Sequence, residues 1–262
     1  MTTLATGSTV GELLRTWRER RRLTQLELSL QVDVSTRHLS YVENGRSQPS
    51  SAMILRLTEH LDIPLRERNE ILLAGGFAPV FPHHRLDAPA LARVADALRM
   101  LLDRHMPYPA VVLNRWWDMV DANTAITSLL DGVAPDLLVP PVNVLRLTLH
   151  PDGLAPRIRN LGQWRAHLLS QVRQRLERTG DERLFALLDE LAALPGATAI
   201  EPGRHAVVVP MEIEVGDQVL SLFSMASAPS TATDVTLDEL MVETFYPADD
   251  ATEAALRGMW SA

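Results

Sequence analysis

The sequence predicts an α+β protein in which a five-helix domain precedes an antiparallel sheet with flanking helices. Three observations lead to this fold class. Apolar residues recur at helical spacing through residues 9–75, and apolar and polar residues alternate in several segments after residue 110. A stretch with three prolines, residues 77–89, lies between the two patterns. We therefore expect domains at residues 1–76 and 90–262, joined by a linker at residues 77–89.

The first domain contains apolar periodicity and capping residues that predict five helices. Apolar residues share one face of residues 9–22, Thr24 with Glu27 forms a capping-box pattern, and Ser35 can cap a helix that runs to about Asn44. Two further helices are predicted at residues 50–62 and 65–74, the last ending at Gly75-Gly76.

The second domain contains segments with helical periodicity and segments with the polar–apolar alternation of strands. Its predicted helices cover residues 88–105, a short segment from Asn123, 157–178, 181–193 and 249–260. Its predicted strands cover residues 111–113, 116–121, 142–149, 206–215, 218–226 and 239–246, with a hairpin turn at Gly216-Asp217.

Residues 24–49 carry the clearest functional signal. Two short helices are joined by a turn at Val32-Asp33-Val34, and Leu39 and Val42 share the buried face of the second helix. Polar side chains then lie on the exposed face. A short helix that presents such side chains is what reading a DNA major groove requires.

This segment resembles the lambda-repressor-like helix-turn-helix of the xenobiotic response element (XRE) family of bacterial regulators. Thr24-Gln25, Val34-Ser35 and the run Tyr41–Arg46 carry the resemblance, which extends over residues 9–75. It implies a double-stranded DNA operator as partner and an ion pair between Arg18 and Glu43. The residues expected to bind DNA are Gln25, Ser35, Thr36, Arg37, Ser40, Tyr41, Asn44 and Arg46.

The expected roles of these residues differ. The resemblance implies that Gln25 reaches a phosphate, and Arg46 follows the helix in a loop where a phosphate contact is expected. Thr36 and Arg37 are the expected base readers, because arginine can bind guanine with two hydrogen bonds and a threonine methyl can touch thymine. Tyr41 belongs either to the core or to the DNA-facing surface.

The order of elements in the second domain is that of a PAS-like domain. In detail it resembles the ligand-binding domain of MmyB-like actinobacterial regulators, on residues 108–123 (YPAVVLNRWWDMVDAN) and 219–223 (VLSLF). The resemblance implies a sensor of a small apolar, fatty-acid-like ligand. The candidate pocket residues are Trp117, Met119, Trp164, Leu168, Met211, Ile213, Phe223, Met225 and Phe245, each of which is alternatively ordinary core. Arg115, Arg146, Arg165 and His167 are candidates to meet an acidic head group.

Composition narrows the function classes. The chain has 262 residues and a net charge of −8, no cysteine, and 25 basic residues that are all arginine. Disulfides and thiolate sites are therefore excluded. Residues 1–75 carry a net charge of about +1, so the acidity resides in the second domain. No apolar run reaches the roughly 18 residues of a membrane span, and the N-terminus lacks a signal pattern, so a cytoplasmic protein without membrane association is expected.

Catalytic signatures are missing from the sequence. It has no nucleophile elbow, phosphate-binding glycine loop or zinc-binding histidine pair, so we expect no enzyme, cofactor or metal site. Two functions remain open. One is a homodimeric transcription regulator controlled by an apolar ligand. The other is a DNA-binding protein whose second domain only dimerises or docks a partner.

Overall fold

The computed structural model describes residues 7–198 and 208–260, and its fold is the α+β class that the sequence predicts. Two compact units divide the chain. The first comprises the residues up to His84 together with Thr231–Asp238, and the second comprises Arg85–Ser230 and the residues from Glu239 onward. Among the described residues, none of the helices could span a lipid bilayer.

The first unit contains the five predicted helices. They are α1 (Val10–Arg20), α2 (Gln25–Gln31), α3 (Thr36–Glu43), α4 (Ser51–His60) and α5 (Leu65–Ala74). Each of the first four begins after a serine or threonine whose hydroxyl accepts a backbone N–H of the first turn, as predicted at Thr24 and Ser35. Their apolar faces enclose one core around Leu14, Leu39 and Leu57.

The backbone of helix α1 lies in direct contact with the backbone of helix α3. The contact is made at Gly11, where an added Cβ would lie 2.2 Å from the carbonyl oxygen of Val42. No side chain other than hydrogen fits this space, because real Cβ atoms do not come so close to backbone oxygen. Gly11 therefore sets the distance between the first helix and α3.

A segment from far along the sequence completes the first unit. Thr231–Asp238 ends in the short helix α11 (Val235–Asp238), and its backbone pairs with the chain at Pro82 through a 2.8 Å hydrogen bond from the Val235 N–H. Asp238 accepts a 3.0 Å hydrogen bond from the N–H of Leu65, the first residue of α5. This carboxylate supplies the cap that Pro64, which precedes α5, does not provide.

A contact between a histidine and a buried aspartate fixes the same segment. The Nδ1 of His84 lies 2.7 Å from Oδ2 of Asp234, which is 4% exposed. Burial opposes the charge of this carboxyl, but the hydrogen bonds from His84 and Thr236 hold the pKa of Asp234 below its usual range. The chain consequently passes between the two units three times, after His84, Ser230 and Asp238.

The second unit is built on a five-stranded antiparallel sheet. Its strands are β1 (Ala110–Leu113), β2 (Met119–Ala122), β3 (Met211–Val215), β4 (Gln218–Ser227) and β5 (Met241–Pro247). Their order is β2-β1-β5-β4-β3. Its helices are α6 (Ala92–Arg104), α7 (Thr124–Leu129), α8 (Val144–Leu149), α9 (Leu161–Thr179), α10 (Glu182–Ala193) and α12 (Asp250–Met259).

One face of this sheet carries the core of the unit. Val111, Leu113, Leu220 and Leu222 are almost fully buried, and they share a core cluster with apolar residues of α7, α8 and α9. Strands β3 and β4 form the predicted hairpin, in which Gly216 adopts a φ of 58°.

Two predicted strands are different in the structure. Residues 142–149 were expected to form a strand from their alternation, but Val144–Leu149 is helix α8, which Asn143 caps by accepting the Arg146 N–H. Leu145, Leu147 and Leu149 are all buried, so the helix is apolar on more than one side and its period is obscured. The strand expected at residues 116–121 begins only at Met119, because Trp117 has a φ of 61° in a turn. The first residues of the strand expected at 206–215 lie outside the described residues, and β3 begins at Met211.

The close approach at Gly11 gives a first prediction. Gly11→Ala should destabilise the first unit by about 1–3 kcal/mol or more, because the new methyl group forces α1 and α3 apart. Gly258→Ala is the matched control. Its Cβ would meet nothing within 4 Å in α12, so it should stabilise the protein by about 0.5–1 kcal/mol. Denaturant unfolding of the full chain measures both, and an unchanged midpoint for Gly11→Ala would contradict the contact.

Candidate functional site

The turn between α2 and α3 is tight and well capped. Thr24 and Glu27 form the predicted capping box, in which the Thr24 N–H donates to Glu27 Oε2 over 2.7 Å and the Glu27 N–H donates to Thr24 Oγ1 over 3.1 Å. Asp33 turns the chain at a φ of 52°. Ser35 then accepts the N–H of His38 and starts α3. Local hydrogen bonds and the turn at Asp33 therefore define where α2 and α3 begin, without any contact from other helices.

A buried ion pair joins three helices of this unit. Glu43, at the end of α3, accepts two hydrogen bonds from Arg18 of α1, at 2.7 Å and 2.9 Å, in a bidentate arrangement. The third bond to this carboxylate comes from Nε2 of Gln25 in α2, at 2.8 Å. Arg18 is 7% exposed and Glu43 is 4% exposed. The hydrogen bond to Glu43 raises the pKa of Arg18 above its usual range.

This arrangement confirms the predicted ion pair and adds a partner that was not predicted. Gln25 was expected to reach outward to a phosphate, whereas its amide nitrogen also contacts Glu43. A glutamine at the start of a helix is a common helix former, so the sequence offered no signal for this contact. Position 25 therefore links the outer surface of the motif to the buried carboxylate.

None of the eight predicted DNA-facing residues is buried. Ser35, Arg37, Asn44 and Arg46 are exposed, and Gln25, Thr36, Ser40 and Tyr41 are half-buried. Gly45, which follows α3, has a positive φ of 69°, the conformation in which glycine commonly ends a helix.

Arg37 and Tyr41 form a pair on α3. The Arg37 Nε donates to the Tyr41 hydroxyl over 3.0 Å, and the guanidinium carbon lies 5.3 Å from the centre of the tyrosine ring. The two residues are one helical turn apart, so the arginine side chain is held in a defined direction while it remains exposed.

The hydroxyl of Thr36, which was expected to face DNA, contacts another side chain of the protein. Its Oγ1 lies 2.8 Å from the hydroxyl oxygen of Ser29 in α2, because the first turn of α3 packs against the end of that helix. Asn44 donates to the Ser40 carbonyl over 2.8 Å, so its amide is engaged at the end of α3. Of the two residues expected to read bases, Arg37 is the one whose polar group remains exposed.

A cavity of about 70 Å³ lies in the second unit between the core face of the sheet and helices α7, α8 and α9. Its wall is mainly leucine, isoleucine and valine. Five of the nine predicted pocket residues line it: Met119, Trp164, Leu168, Met211 and Phe245.

Two protein-family models match the chain, one for each part of it. The model described as the MmyB-like transcription regulator ligand binding domain matches residues 94–259, more than half of the chain. The chain belongs to this family. A helix-turn-helix domain model matches residues 9–71 of the same MmyB-like protein. No curated protein sequence matches the chain. The helix-turn-helix and MmyB-like predictions are thereby confirmed, and the chain combines the two domains of a transcription regulator.

The remaining four predicted pocket residues of the MmyB-like domain lie elsewhere. Trp117 is buried beneath the Arg175 guanidinium, 4.0 Å from its ring centre, and Ile213 packs in the core of β3. Phe223 and Met225 point to the other face of the sheet, because side chains alternate along β4 and Leu220 and Leu222 occupy the core face. Met225 is 59% exposed. Strand β4 carries apolar residues on both faces of the sheet. The sequence alone therefore did not show whether Leu220 and Leu222 or Phe223 and Met225 face the core.

Two polar residues in the cavity wall were not predicted. Glu243 of β5 and Thr148 of α8 line the cavity among the apolar side chains. Burial raises the pKa of the Glu243 carboxyl above its usual range, although its hydrogen bond with Ser224 and the charge of Arg175 act in the opposite direction. A carboxyl group in such a wall is costly to charge, so Glu243 is the position in the wall where a polar group of a ligand would be favoured.

The four residues considered for an acidic head group are engaged elsewhere in the second unit. Arg115 pairs with Asp181 and Glu239, and Arg146 pairs with Glu190. Arg165 donates to three carbonyl oxygens at the end of α10, and His167 contacts Gln171. Among the described residues, the cavity wall contains no arginine or histidine.

The buried carboxylate of the helix-turn-helix gives a second prediction. Glu43→Ala should destabilise the first unit by about 3–5 kcal/mol, because it leaves Arg18 buried without its partner. Glu19→Ala removes an exposed carboxylate of α1 that pairs with Arg15 and lies 3.6 Å from Arg18, and it should leave the unfolding midpoint close to that of the wild type. Thermal and denaturant unfolding test the pair of variants. If Glu43→Ala unfolded at the same midpoint as Glu19→Ala and the wild type, the buried ion pair would not be what holds the three helices together.

Proposed function

We propose that this MmyB-like regulator binds a double-stranded DNA operator through α3 and that an apolar ligand in the cavity of its second unit controls this binding. The observation that supports DNA reading is the exposed Arg37–Tyr41 pair on a helix that the Arg18–Glu43 ion pair fixes to its neighbours. A rigid helix with an exposed arginine has the geometry that major-groove recognition needs. The expected site of action is the cytoplasm.

The residues divide by the part of DNA that each meets. We assign base contacts to Arg37, with Thr36, Ser40 and Tyr41 beside it. Backbone contacts are assigned to Gln25, Ser35, Asn44 and Arg46, which lie at helix ends and in the loop after α3. The mild charge of the first unit, about +1 over residues 1–75, implies modest affinity for nonspecific DNA.

Control by the ligand requires a route from the cavity to the first unit. Strand β5 carries Glu243 and Phe245 in the cavity wall, and it starts three residues after Asp238, which caps α5 in the first unit. A ligand that moves β5 therefore pulls on a segment anchored in the DNA-binding unit. The proline-containing connection at residues 77–89 and helix α6 supply the second covalent route.

The magnitude of such control is bounded by linkage. A ligand acts only through its different affinities for the DNA-competent and DNA-incompetent arrangements. A coupling of roughly 1–3 kcal/mol corresponds to a change of about 5–150-fold in operator affinity.

The alternative function is a DNA-binding protein whose second unit only dimerises or docks a partner. The small size of the cavity favours this reading, because about 70 Å³ is below the roughly 150 Å³ of an engineered cavity that binds benzene. Its wall includes Met119 and Met211, whose flexible side chains can enlarge the space, and this favours the ligand-binding reading. The two functions differ in whether apolar compounds change operator affinity.

Arg37 provides the test of DNA reading. Arg37→Ala should weaken operator binding by about 1–3 kcal/mol and relax the preference at one base position, because a bidentate contact to guanine is lost. Gln25→Ala and Arg46→Ala should weaken binding evenly across sequences. Arg93→Ala, an exposed arginine of α6 with the same loss of charge, is the control and should retain affinity and preference. Selection from a random DNA library reads out both quantities, and an unchanged profile for Arg37→Ala would refute the assignment.

A homodimer on a near-palindromic operator is the expected working form, because one small helix-turn-helix reads only a few base pairs. Met100 and Leu101 of α6 and Met225 of β4 are exposed apolar residues that line one shallow groove, which suits contact with a second copy. Light scattering of the operator complex should give two protomers, and Met225→Glu should reduce this number. Phe185→Glu, at an exposed apolar residue of α10, should not reduce it. One protomer per operator in the wild type would exclude the dimer.

A further inference from the structure

The described wall of the cavity in the second unit contains three polar residues, and these indicate which head group its ligand carries. Glu243 is the one ionisable residue among the described residues that line it, and Thr148 and Trp164 contribute the other polar groups. The Thr148 hydroxyl donates to the Val144 carbonyl over 2.6 Å, so its proton is already used within α8. The groups left to recognise a ligand are the Glu243 carboxyl and the Trp164 indole.

Trp164 carries an unused hydrogen-bond donor. Its side chain is 3% exposed, and its Nε1–H has no hydrogen-bond partner among the described residues. A buried donor without an acceptor has lost its hydration without compensation. An acceptor atom on a bound molecule would supply that compensation, so the donor favours a ligand with an oxygen.

The charges near Glu243 disfavour a ligand with its own charge. Arg175 of α9 is the cation that acts on this carboxyl, and it is already held by the Arg115 carbonyl, the Met241 sulfur and the face of Trp117. Burial and the neighbouring Arg115 lower the pKa of Arg175 to about 10, which leaves it cationic at neutral pH. A carboxylate in the cavity would stand beside Glu243 without a lining cation, and an ammonium would have to compete with Arg175 for the same carboxyl.

We propose that the ligand of this cavity is an uncharged amphiphile, with an aliphatic chain and a hydroxyl or primary amide head group that meets Glu243 and Trp164, rather than a fatty-acid carboxylate. Such a head group both donates and accepts hydrogen bonds, so it can satisfy the Trp164 N–H and the Glu243 carboxyl without bringing a charge into the apolar wall. The inference rests on the proposed ligand control of the regulator and specifies the chemistry of its ligand.

The test uses a matched series of eight-carbon compounds: 1-octanol, octanamide, octanoate and octylamine. Calorimetry on the full chain at neutral pH should show that octanol or octanamide binds at least about tenfold more tightly than octanoate and octylamine. Octanoate loses its hydration without gaining a counter-ion, and octylamine must compete with Arg175 for the Glu243 carboxyl. Tighter binding of octanoate or octylamine than of both neutral compounds would overturn the inference.

Two variants assign the effect to the named residues. Glu243→Gln should strengthen octanoate about tenfold, because the competing carboxyl is gone, and so reduce the preference for the neutral compounds. Trp164→Phe should weaken octanol and octanamide about 2–10-fold through loss of one hydrogen bond. Glu177→Gln, the same substitution on the exposed face of α9, should change nothing. Wild-type selectivity in both Glu243→Gln and Trp164→Phe would also overturn the inference.

Operator affinity, measured in parallel with each compound, separates this inference from the proposed function. If a neutral compound binds selectively but operator affinity does not change, the head-group inference stands and ligand control fails. If octanoate binds most tightly and changes operator affinity, ligand control stands and the inference fails. Binding by none of the four compounds overturns the inference and favours the docking-module alternative.

Discussion

The carboxylate of Glu43 is the interaction on which the DNA-binding unit depends most. It receives three hydrogen bonds, two from Arg18 and one from Gln25, and so joins α1, α2 and α3 at one buried point. Burying these charges is costly, and the bidentate geometry offsets that cost only while all partners are present. Gly11 acts with it, because it lets α1 approach the backbone of α3. The direction in which Arg37 projects follows from both constraints.

In the second unit the governing constraint is that β4 and β5 carry apolar side chains on both faces of the sheet. Leu220 and Leu222 face the core cluster, whereas Phe223 stacks on Tyr246 at a centroid distance of 5.6 Å on the opposite face. The same strand β5 places Glu243 in the cavity wall and continues from the segment that caps α5. One strand thus carries the ionisable residue of the described cavity wall and, through the chain, a connection to the DNA-binding unit.

The sequence predicted the features that are encoded locally. Caps at Thr24 and Ser35, the hairpin at Gly216 and the five helices of the first unit each depend on a few neighbouring residues. Helix α8 was missed because three buried leucines hide its period, although Asn143 offered a capping signal.

Features that depend on distant residues could not be predicted. The contact of Gln25 with Glu43 spans 18 positions, and that of Asp238 with the start of α5 spans 173. The pocket assignment was limited for the same reason. Met119 and Met225 have the same chemistry, and only the fold places the first at the cavity and the second on the opposite face.

The central claim is that occupancy of the cavity changes the affinity of α3 for its operator. The most direct measurement is operator affinity with and without apolar compounds, in the wild type and in Val144→Phe, which fills the cavity from α8. The account predicts a change of about 5–150-fold in the wild type and none in the variant. Equal affinity in the wild type with every compound, or an equal response in the variant, would contradict it.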